Sequence, residues 1–212
     1  MFMTYKAIAF DLDGTLIDTE KAITLSLIET VRNFKGIEIS YERMAQEFGT
    51  PSARTFASFG ISEHELEAAL NSMSIYFAKH NNLISVFPGI EDILSAIALV
   101  NFPMGIVTSK TKKQFQHEFI PHGLERFFAH AVCADDTERH KPHPEPLLKY
   151  LELAKLSAHD VLYIGDSVYD MECAKGAGVD FALAAWGAVD KSLPAGHVLL
   201  RPSDILKVIG QA

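Results

Sequence analysis

Ala7-Ile8-Ala9-Phe10-Asp11-Leu12-Asp13-Gly14-Thr15 is a stretch in which a short apolar run leads into two carboxylates and a glycine. An apolar run without alternation is typical of a strand that is covered on both faces, as in a parallel sheet. Four similar runs follow along the chain: Met104-Gly105-Ile106-Val107, Ala129 to Ala134, Val161-Leu162-Tyr163-Ile164 and Asp180 to Ala184. The stretch is therefore predicted to be the first strand of a buried parallel sheet, ending in an acidic turn.

Helical segments separate these runs from about residue 90 onward. They are predicted over four ranges: Glu91 to Leu99, Lys110 to His122, Pro144 to Lys155 and Ser167 to Gly176. Regular alternation of strand and helix, with right-handed crossovers, is typical of α/β proteins. The sequence therefore predicts an α/β fold class with a doubly wound parallel sheet.

Residues 18–84 break this alternation, because they contain no convincing strand. An amphipathic helix is predicted from four apolar residues at helical spacing, Ile23, Leu27, Val31 and Phe34. Ser40 can cap a second helix, and Thr50-Pro51 fits the N-cap and first position of a third. Ser62 and Glu65 form a capping box for a fourth helix, which runs to about His80. We therefore expect a core domain of residues 1–17 and 85–212, with a small all-helical domain of residues 18–84 inserted after the first strand.

Composition limits the partners and the location of the protein. A net charge of −8 argues against a nucleic acid or an anionic membrane as partner, since both favour a basic face. No stretch approaches the roughly 18 apolar residues of a membrane helix. The segment Met1-Phe2-Met3-Thr4-Tyr5-Lys6 lacks the features of an export signal. A cytoplasmic monomer or homodimer is expected.

Polar residues follow four of the predicted strands. Asp11 and Asp13 follow the first, Thr108 the second, Lys141 the third, and Gly165-Asp166-Ser167-Val168-Tyr169-Asp170 includes the end of the fourth. In open α/β sheets, ligands bind at the carboxyl ends of the strands, near the point where strand order reverses. Four separate segments are therefore expected to bring their polar groups to one crevice.

Four carboxylates in one crevice repel each other, by about 4 kcal/mol for a pair 4 Å apart at an effective dielectric of 20. The crevice therefore needs a cation, and an all-oxygen ligand set favours Mg²⁺. Asp11 is ionised at neutral pH and can attack phosphorus without a base. Asp13 can protonate the leaving oxygen and then activate water. Thr108 and Lys141 can hold the phosphoryl oxygens.

The order of these segments resembles the four motifs of the haloacid dehalogenase-like hydrolases. Asp11-Leu12-Asp13-Gly14-Thr15 is similar to the first motif, Thr108 to the second, Lys141 to the third, and Gly165-Asp166-Ser167 with Asp170 to the fourth. Ser109 stands where the family often has Asn, beside the hydroxyl that binds phosphate. The resemblance covers the chain from residue 5 to about 185.

The resemblance implies a role for each residue. Asp11 would be nucleophile and metal ligand, and Asp13 acid/base and metal ligand through its backbone carbonyl. Asp166 would be the third protein ligand of Mg²⁺, and Asp170 would support the site from nearby. Thr108 with Ser109 and Lys141 would bind the substrate phosphate.

The inserted domain resembles the helical cap of the phosphoglycolate phosphatase and β-phosphoglucomutase branch. This implies a small phosphorylated metabolite as substrate, with phosphoglycolate the first candidate, and Arg54 in the cap as a residue that selects it. A phosphosugar mutase, a pyrophosphatase or a nucleotidase is an alternative activity. A phosphorylation switch without turnover is the non-enzyme alternative.

Overall fold

The structure is a computed structural model, and it describes residues 5–210. The first four residues, part of the segment in which no export signal is predicted, and the last two lie outside the described residues. The chain forms two compact units, one made of the described residues up to Ile17 and from Val86 onward, the other of Asp18–Ser85. Two short strands, β2 (Ile17–Asp18) and β3 (Ser85–Val86), pair with each other where the chain passes between the units.

The inserted unit is all helical from Glu20 to Leu83. Its helices are α1 (Glu20–Lys35), α2 (Tyr41–Ala45), α3 (Ser52–Ser58) and α4 (Glu63–Lys79), followed by a 3₁₀ turn (Asn81–Leu83). They pack around a small core of Leu27, Val31, Met44, Phe56, Ile61 and Ala69. The predicted caps at Ser40 and Ser62 are present. The predicted cap at Thr50 is displaced by one residue, because Pro51 has an extended ψ of 130° and itself precedes the helix.

The larger unit contains a six-stranded sheet. Its strands are β1 (Ala7–Phe10), β4 (Met104–Val107), β5 (His130–Val132), β6 (Val161–Gly165), β7 (Asp180–Ala184) and β8 (His197–Leu199). The strand order is β5-β4-β1-β6-β7-β8, and every neighbouring pair is parallel. The α/β fold class predicted from the sequence, a doubly wound parallel sheet, is confirmed.

Four helices of this unit precede or connect strands β4 to β7, and a fifth, short helix follows β8. They are α5 (Ile90–Leu99), α6 (Lys112–Glu118), α7 (Glu145–Ala154), α8 (Val168–Ala177) and α9 (Ile205–Val208). Side chains of β1, β6, α7 and α8 share one buried apolar cluster, which includes Leu147, Tyr150, Tyr163 and Cys173. Among the helices of residues 5–210, none combines the length and apolar character that crossing a bilayer requires.

The order of the strands reverses at β1. From β1 the chain builds β4 and β5 on one side, then returns to build β6, β7 and β8 on the other. Phe10 is in register with Ile106 of β4 and Ile164 of β6, so three strands end level with one another. This is the position at which open α/β sheets bind ligands.

Some predicted elements differ from the observed ones. The third strand covers only His130–Val132 instead of Ala129 to Ala134. The helix predicted over Lys110 to His122 is limited to Lys112–Glu118, because Thr111 and Gln114 form a capping box and because Pro121 lies in a separate 3₁₀ turn. Lys110 therefore lies in the loop after β4. The short elements β8 and α9 were not predicted.

Candidate active site

The turn after β1 holds the first pair of acidic residues. The Leu12 carbonyl accepts hydrogen bonds from three successive amides, those of Thr15, Leu16 and Ile17, at 3.1, 2.9 and 3.0 Å. Gly14 closes the turn with a φ of 76°, a conformation that L residues with a side chain rarely adopt. The Trp186 indole donates to the Thr15 carbonyl at 2.9 Å. The acidic turn is therefore held by its own backbone and by the segment after β7.

Lys141 is the centre of the buried hydrogen-bond network. Its Nζ lies 2.6 Å from Asp11 Oδ1 and 2.6 Å from Asp170 Oδ1. It also donates to the Tyr163 hydroxyl at 3.1 Å and lies 3.4 Å from the Val107 carbonyl. Because Lys141 is buried, these contacts replace the water that an ammonium would otherwise bind.

Asp170 belongs both to the site and to the start of α8. Its Oδ1 accepts from Lys141 and from the Tyr163 hydroxyl, the latter at 2.9 Å. Its Oδ2 accepts from the Ser167 amide at 3.2 Å and from the Ser167 hydroxyl at 2.5 Å, which completes a capping box. The residue that caps the helix therefore also fixes the ammonium beside Asp11.

Asp166 lies beside Asp11 and Asp170. All three are buried, and one carboxylate oxygen from each lies within 4.8 Å of the others. Asp166 also contacts the acidic turn so closely that a Cβ atom on Gly14 would lie 2.3 Å from Asp166 Oδ2. Asp11 and Asp166, from two strands that are neighbours in the sheet, are therefore in reach of a shared ion.

Asp13 contacts a second lysine. Its Oδ1 lies 2.9 Å from Nζ of Lys110, and the same ammonium lies 2.5 Å from Oε2 of Glu118 at the end of α6. Lys110 and Glu118 are buried, whereas the side chain of Asp13 is 25% exposed. Asp13 is thus the member of the acidic pair that remains accessible to a reactant.

Thr108, Ser109 and Arg54 differ in their surroundings. Thr108 is buried directly after β4, and its hydroxyl accepts from the amide of Lys110 at 3.1 Å. Ser109 is exposed on the same loop. Arg54 lies in α3 of the inserted unit with an exposed side chain, and its part in substrate selection stays a prediction.

Burial dominates the electrostatics of the carboxylates. It raises the pKa of Asp11 to about 7, with the charge of Asp170 adding to the rise and Lys141 opposing it. Burial and the charges of Asp170 and Asp11 also raise the pKa of Asp166 well above its ordinary value. For Asp170, burial is outweighed by Lys141 and the other donors, which lower the pKa.

The lysines remain charged in this environment. Burial alone would lower the pKa of Lys141, but Asp11 and Asp170 raise it above its ordinary value. Burial likewise lowers the pKa of Lys110, but Asp13 and Glu118 raise it above its ordinary value. The cluster therefore contains two ammonium groups among five carboxylates, those of Asp11, Asp13, Glu118, Asp166 and Asp170.

This charge balance and the donor atoms fit a divalent cation. Burial and the neighbouring carboxylates raise the pKa values of Asp11 and Asp166 in spite of the opposing charge of Lys141, so a further positive charge would stabilise their ionised forms. The donors are carboxylate oxygens, which suit a hard cation such as Mg²⁺. Asp11, Asp166 and the backbone carbonyl of Asp13 would hold the ion, while Asp170 is already occupied by its hydrogen bonds to Lys141, Tyr163 and Ser167.

Three further residues belong to this cluster, although nothing in the sequence around them predicts a functional role. Tyr163 looks like one more apolar strand residue, and Lys110 like a surface charge in a loop. Glu118 looks like an exposed helical residue. A buried tyrosine and a buried ion pair become recognisable only once the packing around them is known.

Comparisons with known proteins identify the family of the chain. Residues 8–184 match the family model described as haloacid dehalogenase-like hydrolase. Pyrophosphatase PpaX of Oceanobacillus iheyensis is 30% identical over 217 aligned residues, which cover 99% of both chains.

Two solved structures have the same fold. A provisionally named phosphoglycolate phosphatase from Lactobacillus plantarum has a TM-score of 0.90 and 31% identity, and the match covers 97% of this chain and 99% of the other. A hydrolase of subfamily IA from Geobacter sulfurreducens has a TM-score of 0.75 and 25% identity, covering 97% of each chain.

The family match begins in β1 and ends with β7, so it contains all the strands whose ends form the acidic cluster. Membership of a hydrolase family favours the enzyme over the phosphorylation switch. On the strength of this match and of the relatives that align over nearly their whole length, the chain belongs to the haloacid dehalogenase-like hydrolases.

Proposed function

We propose that this hydrolase is a Mg²⁺-dependent phosphatase that transfers the phosphoryl group of a small metabolite to Asp11 and then to water. The observation that carries the proposal is the position of Lys141, whose Nζ lies 2.6 Å from Asp11 Oδ1 in a buried acidic cluster. A lysine fixed beside a buried carboxylate places positive charge where an incoming phosphoryl group would need it.

In the first step, a carboxylate oxygen of Asp11 forms a bond to phosphorus while the bond from phosphorus to the leaving oxygen breaks. Asp13 gives its proton to that oxygen, which leaves as an alcohol or, from pyrophosphate, as phosphate. The partly exposed side chain of Asp13 suits this role better than the buried side chains of Asp11 and Asp166 do.

In the second step, water attacks phosphorus of the aspartyl-phosphate and the bond to Asp11 breaks. Asp13, now ionised, takes the proton from that water, so the enzyme returns to its starting state with one phosphate released. Asp13 therefore acts in both steps, protonated at the start of the first and ionised at the start of the second.

Lys141 and Thr108 would hold the equatorial oxygens of the phosphoryl group during both steps, with Ser109 on the same loop. Asp11 and Asp170 hold Lys141 beside the reacting carboxylate, and the N–H group that bonds to Asp11 would pass to a phosphoryl oxygen as Asp11 bonds to phosphorus. Mg²⁺ held by Asp11, Asp166 and the Asp13 carbonyl would supply the charge that lets an anionic phosphate approach these carboxylates.

Phosphoglycolate and pyrophosphate are the two substrate candidates. The first follows from the similarity to the Lactobacillus plantarum structure, which carries that name provisionally. The second is favoured by the relatives named pyrophosphatase PpaX, such as that of Oceanobacillus iheyensis. Both substrates present a phosphoryl group to Asp11 and differ only in the group that leaves.

The test is phosphate release by the purified protein from phosphoglycolate, pyrophosphate and a hexose 1-phosphate, with Mg²⁺ or with EDTA. We expect Mg²⁺-dependent release from at least one substrate and a phosphoryl adduct on Asp11 in acid-quenched wild-type protein. Asp11→Asn should abolish both. Release that persists in EDTA or in Asp11→Asn would contradict the proposal, and isomerised sugar phosphate in place of free phosphate would indicate a mutase.

A further inference from the structure

Lys110 links two carboxylates that come from different parts of the core unit. Asp13 belongs to the turn after β1, and Glu118 ends α6. Nζ of Lys110 lies 2.9 Å from Asp13 Oδ1 and 2.5 Å from Glu118 Oε2. Since both carboxylates bond to one ammonium, Lys110 is the connection through which α6 can fix the orientation of Asp13.

The backbone around Lys110 is also held. Its amide donates to the Thr108 hydroxyl at 3.1 Å, and its carbonyl accepts from the Ala134 amide at 2.8 Å. These bonds keep residue 110 out of α6 and direct its long side chain toward the acidic turn. The buried side chain has little room for other rotamers, so the ammonium has a defined position.

A general acid is more effective when a neighbouring group holds its carboxylate in one orientation. Asp13 must give a proton to one oxygen and later take one from another, and a rotation of its carboxylate away from either position would slow the reaction. Of its two oxygens, Oδ1 contacts Lys110. Anchoring one oxygen in this way limits rotation about the last side-chain bond and directs the other.

We infer that Lys110 is a positioning residue for Asp13, and that Glu118 serves to hold Lys110 in place. The inference rests on the proposed acid/base role of Asp13. Lys110 is required for turnover through the orientation of Asp13 and does not itself bind the substrate.

The test compares three variants of the full chain. Lys110→Met removes the charge at similar length and leaves Glu118 as a buried carboxylate without its partner, so a loss of activity could reflect misfolding. Lys110→Met combined with Glu118→Leu removes both buried charges, so this double variant should fold. Lys112→Met is the matched control, because Lys112 is an exposed lysine two residues away that pairs with Asp136.

We expect the double variant to unfold cooperatively near the wild-type temperature, with kcat lowered about 10- to 100-fold and KM within about threefold of wild type. Lys112→Met should match the wild type. A purely structural role for the Lys110–Glu118 pair would restore kcat in the double variant, and that result would overturn the inference. A raised KM with unchanged kcat would overturn it too, because Lys110 would then be a substrate contact.

Crystal structures of the wild type and the double variant separate this inference from the proposed function. We expect Asp13 in one orientation in the wild type and in several, or in a new one, in the double variant. An unchanged Asp13 would refute the positioning role even in a fully active enzyme. Conversely, a wild type that releases no phosphate while Asp13 moves in the double variant would refute the proposed function and leave the positioning intact.

Discussion

Gly14 and Asp166 lie in such close contact that a single methyl group does not fit between them. A Cβ atom at residue 14 would lie 2.3 Å from Oδ2 of Asp166 and 2.5 Å from its Cγ. The glycine also has a φ of 76°. The turn after Asp11, the proposed nucleophile, and the strand end that carries the proposed metal ligand therefore fit closely together at this point.

Gly14→Ala should weaken the proposed metal site. The new methyl group must displace the Asp166 carboxylate from its present position, and we expect the Mg²⁺ concentration for half-maximal activity to rise about tenfold or more, equivalent to at least 1.4 kcal/mol. The measurement is phosphate release as a function of Mg²⁺ concentration. Turnover at saturating Mg²⁺ should fall as well, because the metal position moves with its ligand.

Gly89→Ala is the control for backbone strain. Gly89 has a φ of 84°, and nothing lies within 4 Å of the position of its Cβ. Alanine at residue 89 must adopt the same left-handed conformation, which costs about 1–2 kcal/mol, but its methyl group contacts no residue of the site. If both alanine variants changed the Mg²⁺ dependence equally, the contact with Asp166 would not be the cause.

Asp170→Asn should lower turnover by placing Lys141 closer to Asp11, the proposed nucleophile. With Asp170 neutral, Asp11 is the remaining carboxylate within 3 Å of the ammonium, so the lysine should move toward it and partly mask it. We expect kcat to fall about 10- to 100-fold, since small displacements in an active site have effects of this size. Steady-state kinetics with saturating Mg²⁺ measures the change.

Ser167→Ala separates the role of Asp170 at the helix from its role at Lys141. This variant removes the hydroxyl that bonds to Asp170 Oδ2 and leaves the contact to Lys141 intact. Stability should fall by about 1 kcal/mol, as for other N-cap substitutions. If Ser167→Ala lowered kcat as much as Asp170→Asn, the effect of Asp170→Asn would come from the disturbed start of α8 and not from Lys141.

Most of the sheet can be predicted because buried strands leave a simple pattern. The continuous apolar runs predict β1, β4 and β7 with their observed bounds, and all but the first residue of β7 are buried. β8 has no such pattern, because Val198 at its centre is exposed at the edge of the sheet. The position of the acidic cluster follows from strand order, which the helical connections make predictable.

The partners of the acidic residues are harder to predict. Lys141 bonds to Asp170, 29 positions along the chain, and to Asp11, 130 positions away, so no local spacing reports these contacts. Lys110 and Glu118 are eight positions apart, which corresponds to no regular contact once residue 110 lies outside the helix. Tyr163 fits an apolar strand so well that its hydroxyl has no signature in the sequence.

Tyr163→Phe should reduce turnover moderately. The hydroxyl accepts from Lys141 at 3.1 Å and lies 2.9 Å from Asp170, but both carboxylate contacts of the lysine remain when it is removed. We therefore expect kcat to fall about tenfold or less. Stability should fall by about 1 kcal/mol, because the one hydrogen that the hydroxyl can donate to Asp170 or to the Val107 carbonyl is lost. Kinetics and urea unfolding give the two values.

Tyr150→Phe is the matched control for Tyr163→Phe. Tyr150 is equally buried in the same apolar cluster, and its hydroxyl lies 3.5 Å from the Ile8 carbonyl. The control should keep the wild-type kcat. A reduction in kcat equal to that of Tyr163→Phe would mean that loss of any buried hydroxyl in this cluster has the same effect, and Tyr163 would have no special relation to Lys141.

The stability of the metal-free protein should fall as pH rises, and Asp11 should account for part of the fall. Its pKa is about 7 in the folded protein against an ordinary value of 3.8. The folded state therefore binds a proton that the unfolded state has released between about pH 4 and pH 7. This contribution is complete below pH 4 and is lost as pH rises through 7, with a slope on the order of 1 kcal/mol per pH unit.

Urea unfolding in EDTA from pH 5 to pH 8 measures this slope, and Asp11→Asn should flatten it because the amide does not titrate. Asp166 is shifted in the same direction, so part of the slope should remain in the variant. Mg²⁺ binds the ionised carboxylates, so it should stabilise the protein more at pH 8 than at pH 5. At pH 8, a hundredfold excess over its dissociation constant should stabilise the protein by about 2.7 kcal/mol. A slope that is the same in wild type and Asp11→Asn, or a Mg²⁺ effect that does not grow with pH, would mean that Asp11 is ionised in the folded protein without the metal.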